Sequence, residues 1–198
     1  RDLHSFPTRR SSDLSESNLQ RYAQQNAELP KPDKNEKRVV FMGNSITEGW
    51  VNTHPDFFKS NGYIGRGIGG QTSYQFLVRF REDVINLSPA LVVINAATND
   101  IAENTGAYHE DRTFGNIVSM VELAKANHIK VILTTTLPAA AFGWNPAIKD
   151  APQKIASLNA RLKAYAQTNK IPFVDYYSSM VSGSNKALNP AYTKDGVH

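Results

Sequence analysis

RVVFMGNSITEGW, residues 38–50, runs from a short apolar segment through a glycine into a more polar stretch with a serine at its head. Val39, Val40, Phe41 and Met42 show no apolar/polar alternation, which suits a strand covered on both faces. A serine just past such a strand stands at a strand-to-helix turn, where the first backbone N–H groups of the helix have no internal acceptor.

The rest of the chain repeats the pattern. Apolar runs recur at YIGRGI (63–68), LVVINA (91–96), KVILTT (130–135) and IPFVDY (171–176). Between them lie amphipathic segments predicted as helices over 74–87, 113–127 and 151–169, the second with a stripe through Phe114, Ile117, Val118 and Val121. Gaps of this length cannot be hairpins and imply right-handed crossovers, hence an α/β fold with a parallel sheet between helices. Upstream, residues 16–28 read as a polar helix and LPKPDKNEK as a lead-in, so the domain proper is expected to start near Arg38. Residues 1–14, RDLHSFPTRRSSDL, share no pattern with the remainder of the chain and resemble a translated sequencing-library adapter, so they are set aside from the fold. The division expected is a non-native 1–14, a helix and linker over 15–36, and a catalytic domain over 37–198.

Composition narrows the function classes. The 198 residues are 40% hydrophobic, enough for one ordinary domain core. The chain has no cysteine, which excludes disulfides, thiolate metal sites and a cysteine nucleophile. No apolar run approaches the roughly 18 residues of a membrane span. The net charge of +4 comes from lysines and arginines scattered among acids, so a nucleic-acid surface is not expected.

In an open parallel sheet, ligands bind beyond the carboxyl ends of the strands. Ser45 follows the first run, Gly70 the second and Asn99 the third, so all three are expected on one rim. Singly, each has an ordinary explanation as a cap or turn residue. Together with Asp195 and His198 of the closing DGVH they supply what acyl transfer needs. Ser45 would be the nucleophile and His198 its base, with Asp195 orienting the imidazole. The backbone N–H groups of Ser45 and Gly70 and the amide of Asn99 would form the oxyanion hole.

GNSIT, GGQTS, ATND and DGVH, in this order, resemble the four signature blocks of the SGNH hydrolases, also called the GDSL esterase and lipase family, over about residues 37–198. The resemblance implies a flavodoxin-like three-layer α/β/α sandwich with a five-stranded parallel sheet. It also implies serine esterase chemistry without metal or cofactor, with the same five residues in the same roles. Two positions depart from the family pattern: Asn44 stands where Asp is usual, and Ala97 where Gly is usual. In the family the DGVH block is followed by further chain, usually Pro-Asn and a last helix on the sheet. The resemblance therefore implies a chain cut short after its base, less stable and less active than its parent.

Members act on acetylated sugars, acyl-glycerol lipids, thioesters and aryl esters. The stretch from GNSITEGW through VRFREDVINL resembles bacterial acetylhydrolases and carbohydrate esterases, which favours acetyl esters of a small molecule or oligosaccharide. Trp50, Tyr74, Phe142 and Trp144 are candidates to stack on a sugar ring, with ordinary packing as their alternative role. Competing expectations are a lysophospholipase or thioesterase, and a non-catalytic carbohydrate-binding domain. GIGGQTS lacks the lysine and spacing of a phosphate loop. Family habit places such enzymes in the periplasm or outside the cell. The oligomeric state has no signal in the sequence.

Overall fold

The computed structural model describes residues 17–198, and the segment 1–14 lies outside them. Five strands, β1 (Val39–Gly43), β2 (Tyr63–Gly67), β3 (Leu91–Ile94), β4 (Lys130–Thr134) and β5 (Phe173–Val174), pair in parallel in the order β2-β1-β3-β4-β5. The expected α/β architecture is present. The chain moves outward from β1 to β2 and then returns past β1 to β3, so the order reverses between β1 and β3, where such sheets open a crevice. Gly43 is level with Gly67, and Met42 with Ile94, so the segments after these three strands leave the sheet at the same edge.

Alternation along the strands sorts side chains onto two faces. Val40, Met42, Val92, Ile94, Val131 and Leu133 are buried against α4 (Ser73–Asp83), α6 (Glu110–Ala126) and α7 (Ala151–Thr168). Phe76, Phe80, Ile117, Met120, Ile155 and Leu158 fill this layer, each worth about 1.5–3 kcal/mol of burial. On the other face, Phe41 packs edge-on against Trp50 of α2 (Ser45–Thr53) and Phe58 of α3 (Pro55–Ser60). Three short elements complete the main layers: α1 (Ala23–Glu28), α5 (Thr98–Ile101) and α8 (Tyr176–Met180). The small antiparallel pair of β6 (Val181–Ser182) and β7 (Ala187–Leu188) is too short for any periodicity and was not foreseen.

Two expectations are revised. The helix over 74–87 stops at Asp83, because Val84 leaves helical geometry and a 3-10 turn succeeds it over Ile85–Leu87. The described part of the stretch 16–28 forms a 3-10 turn over Leu19–Arg21 and the short α1, interrupted at Tyr22. That part is fixed to the sheet and to α4. The Tyr22 ring is buried and its hydroxyl donates to the Gly67 carbonyl, while Asn26 donates to Asp83 and accepts from Arg66. Arg38 is itself buried and bonds to the Leu87 and Pro30 carbonyls.

Candidate active site

The turn after β1 is shaped by two glycines. A Cβ on Gly43 would collide with Thr47, and one on Gly67 with the backbone of Asn44 and Glu48, so only glycine lets α2 start this close to the sheet. Asn44 caps the helix, its Oδ1 accepting the Ile46 N–H at 3.0 Å. Its buried Nδ2 has no partner among the described residues, the local cost of an amide at this position. Ser45 is the first residue of α2. Its N–H has no intrahelical acceptor and lies at the positive end of the helix.

The loop after β2 is tied down on both sides of Gly70. The Gly69 N–H donates to Glu48 Oε2 at 2.8 Å, and Asn104 Nδ2 donates to the Gly70 carbonyl at 2.9 Å. Gly70 has φ +76°, a left-handed conformation that suits glycine. Its N–H meets no acceptor among the described residues.

After β3, Ala97 turns the chain at φ 84° into α5, where Asn99 is buried. Asn99 Nδ2 donates to the Gln71 carbonyl at 2.9 Å, which leaves its second amide hydrogen for a ligand. Asp100 lies behind it and accepts from the Ser73 N–H and hydroxyl and from Thr113. Burial pushes the Asp100 carboxyl up, and these hydrogen bonds counter the shift.

The last four residues bring the base. Ser45 Oγ and His198 Nε2 are 2.7 Å apart, and His198 Nδ1 is 2.6 Å from Asp195 Oδ2. A carboxylate at Nδ1 fixes the tautomer with its proton there, so Nε2 is free to accept from the serine. The Asp195 carboxyl is held well below the usual range, first by the His198 backbone N–H and then by its ring. Val197, buried between them in sequence, anchors the segment to the core. The structure thus joins Ser45, His198 and Asp195 in one hydrogen-bonded line, and Gly70 and Asn99 lie in the segments that leave β2 and β3 at the same edge of the sheet.

The aromatic candidates divide. Trp144 is 48% exposed, and its ring centroid is 6.5 Å from that of His198. Its Nε1 donates to Asn104 Oδ1, the same side chain that holds Gly70. Phe142 is fully buried and backs Trp144 at 5.3 Å, so it has no face to offer a ligand. Trp50 is stacked on Phe57 and packed on Phe41 and Phe58. Tyr74 is exposed on α4, beside a groove of about 500 Å³ lined also by Thr105, His109 and Arg112. An apolar cavity of about 250 Å³ under α2 is lined by Met42, Ile46, Trp50 and Asn95 and by none of the five site residues.

Glu48, Asn104 and Gln71 were not singled out in the sequence. Only Glu48 carried a signal, since it stands one helical turn after Ser45 and shares its face. Among the described residues no cluster of three or more His, Asp or Glu side chains could hold a metal, and no helix is long and apolar enough to cross a membrane.

Residues 41–198 match the GDSL-like Lipase/Acylhydrolase family. A candidate acylhydrolase from Bacteroides fragilis NCTC 9343 is 99% identical and superposes with a TM-score of 0.92 over 92% of this chain and 88% of that one. A GDSL-like lipase from Bacteroides thetaiotaomicron VPI-5482 is 78% identical, with a TM-score of 0.91 over 92% and 89% of the two chains. The uncharacterized lipoprotein YqeF of Bacillus subtilis (strain 168) is 32% identical over 117 residues, 50% of this chain. That match spans 48%, about half, of the relative's length.

Proposed function

The chain belongs to the GDSL-like lipase/acylhydrolase family and is a carboxylic ester hydrolase, and from that premise we propose that it removes small acyl groups, chiefly acetyl, from a carbohydrate through an acyl-enzyme on Ser45. The observation that carries the mechanism is the unbroken line from Ser45 Oγ through the His198 ring to Asp195. Ser45 Oγ attacks the ester carbonyl carbon as its proton passes to His198 Nε2. The carbonyl electron pair moves to oxygen, which the N–H groups of Ser45 and Gly70 and the Asn99 amide receive. The tetrahedral intermediate then expels the alcohol, which takes the proton back from Nε2. Water attacks the acyl-enzyme with the same imidazole as base, and the acid and free Ser45 are released.

The position of Trp144 supports a carbohydrate. The leaving alcohol must lie against His198 to receive its proton, and an exposed indole face stands beside that ring. Apolar C–H faces of sugars pack on such a surface. A short acyl group suits a Gly69–Gly70 loop that is tethered to Glu48 and Asn104.

The test is hydrolysis of p-nitrophenyl esters and of acetylated oligosaccharides by the wild type and Ser45→Ala. The expected result is release of acetate from the oligosaccharides, kcat/KM highest for the acetyl ester, and loss of turnover in the variant. A kcat/KM that rises from acetate to octanoate would favour the lysophospholipase or thioesterase alternative. Turnover that survives in Ser45→Ala would overturn the mechanism.

A further inference from the structure

Arg79 is a charged residue in the middle of α4 and is fully buried, together with Asp83 one turn later. Its Nη1 donates to Asp83 Oδ2 at 2.8 Å, an ion pair that satisfies the charge. The two remaining directions of the guanidinium leave the helix for the catalytic edge. Nη2 donates to the Gly43 carbonyl at 3.0 Å, two residues before Ser45, and Nε donates to Gln71 Oε1 at 2.6 Å, the residue after Gly70. The Gln71 carbonyl in turn accepts from Asn99 Nδ2. One rigid side chain is therefore linked to the nucleophile turn, the Gly70 loop and, through Gln71, the Asn99 amide.

A buried ion pair is weak grounds for stability, since apolar residues of similar volume often serve as well. Arg79 differs in where its donors point. A planar fork with five N–H groups in fixed directions can set the relative position of two backbone segments, whereas an ammonium on a flexible stem cannot. The Gly43 and Gln71 segments carry two of the three oxyanion donors, and a misplacement of those donors by about an ångström is costly for rate.

We propose that Arg79, paired with Asp83 and acting through Gln71 and the Gly43 carbonyl, is the positioning residue that makes the oxyanion donors of Ser45, Gly70 and Asn99 converge. The proposal rests on the ester-hydrolase mechanism above. It predicts that disturbing the clamp weakens binding of the transition state more than binding of the ester.

Two variants test it, Arg79→Lys and Gln71→Met, each assayed beside the wild type with p-nitrophenyl acetate and with an arylboronic acid that mimics the tetrahedral intermediate. Arg79→Lys keeps a positive charge beside Asp83 but cannot reach all three acceptors. Gln71→Met leaves the ion pair whole and removes the Arg79 link to the loop together with the bond from Gln71 Nε2 to the Ser17 carbonyl, so it decides the matter should the lysine variant not fold. The expected result is a fall in kcat of about 10–100-fold, with KM within about threefold and the boronate inhibition constant rising in step with 1/kcat. Circular dichroism at the assay temperature should show the Gln71→Met variant folded. A folded Gln71→Met variant with unchanged kcat and boronate binding would overturn the positioning role while leaving the hydrolase mechanism standing. A wild type with no Ser45-dependent turnover would remove both.

Discussion

Oδ2 of Asp195 faces Nδ1 of His198 at 2.6 Å, while Oδ1 of the same carboxylate accepts the backbone N–H of His198 at 2.8 Å. The aspartate thus fixes both the ring and the main chain that carries it. Asp195→Asn would have to choose between them. With its oxygen toward the main chain, the amide hydrogens face Nδ1 and select the tautomer that cannot accept from Ser45. We expect kcat for p-nitrophenyl acetate to fall on the order of 10²–10⁴-fold with little change in KM. An unchanged kcat would mean that the imidazole is oriented by other contacts, such as the Trp144 ring.

The same carboxylate sets an expectation for pH. Its ionisation is favoured by the His198 backbone N–H, the His198 ring and the Val197 N–H, which hold its carboxyl well below the usual carboxylate range. Because the folded value is depressed, its contribution to stability is present above the ordinary carboxylate value and is lost only as pH falls through the depressed one. Asp195 therefore stays ionised as the pH falls through the ordinary carboxylate range, so a decline in activity there is not its own protonation. The expected kcat/KM profile has an acid limb of slope one, with the fold intact along it by circular dichroism. A slope of two, or loss of structure in step with activity, would show that a second group titrates there.

Asn99 is buried with one amide hydrogen committed to the Gln71 carbonyl. Asn99→Ala removes the proposed oxyanion donor and leaves that carbonyl without its Asn99 partner. The expected losses are on the order of 10²–10³ in kcat and about 1–3 kcal/mol in stability for the unpaired group. Steady-state kinetics and a thermal melt measure the two separately. A stability loss without a kinetic one would leave Asn99 a role in the loop alone.

The strands were legible because they depend on local chemistry, and the five proposed site residues were read from the segments that follow them. Apolar runs mark buried strands, and parallel strands of matched register deliver Ser45, Gly70 and Asn99 to one edge whatever the helices do. Trp50 and Trp144 were not separable in the sequence, and only packing shows that one is stacked on Phe57 and the other is half-exposed beside His198, held by Asn104 and Phe142. Arg79 reads in sequence as a solvated charge within RFRED, and its burial comes from the docking of α4 on the sheet. Tyr22 was hidden for a related reason: a polar, broken helix has no stripe, yet one ring and one hydroxyl fix it to β2.

Ala97 stands at the head of the Asn99 turn with φ 84° and ψ −14°, and its methyl is buried. A left-handed alanine carries a Cβ penalty of about 1–2 kcal/mol, which Ala97→Gly would relieve. Against that relief stand the greater freedom of glycine in the unfolded chain, about 0.5–1 kcal/mol, and the burial lost with one methyl, about 0.8 kcal/mol. These terms nearly cancel, so the melting temperature of Ala97→Gly should stay within about 4 °C of the wild type. Ala97→Val separates the causes, because a β-branched residue tolerates the left-handed region far less well. It should lower the melting temperature well beyond that range and reduce kcat, since relaxing φ at 97 turns the chain that aims Asn99. If glycine proved as damaging as valine, the methyl's packing rather than the backbone angle would be what this turn requires.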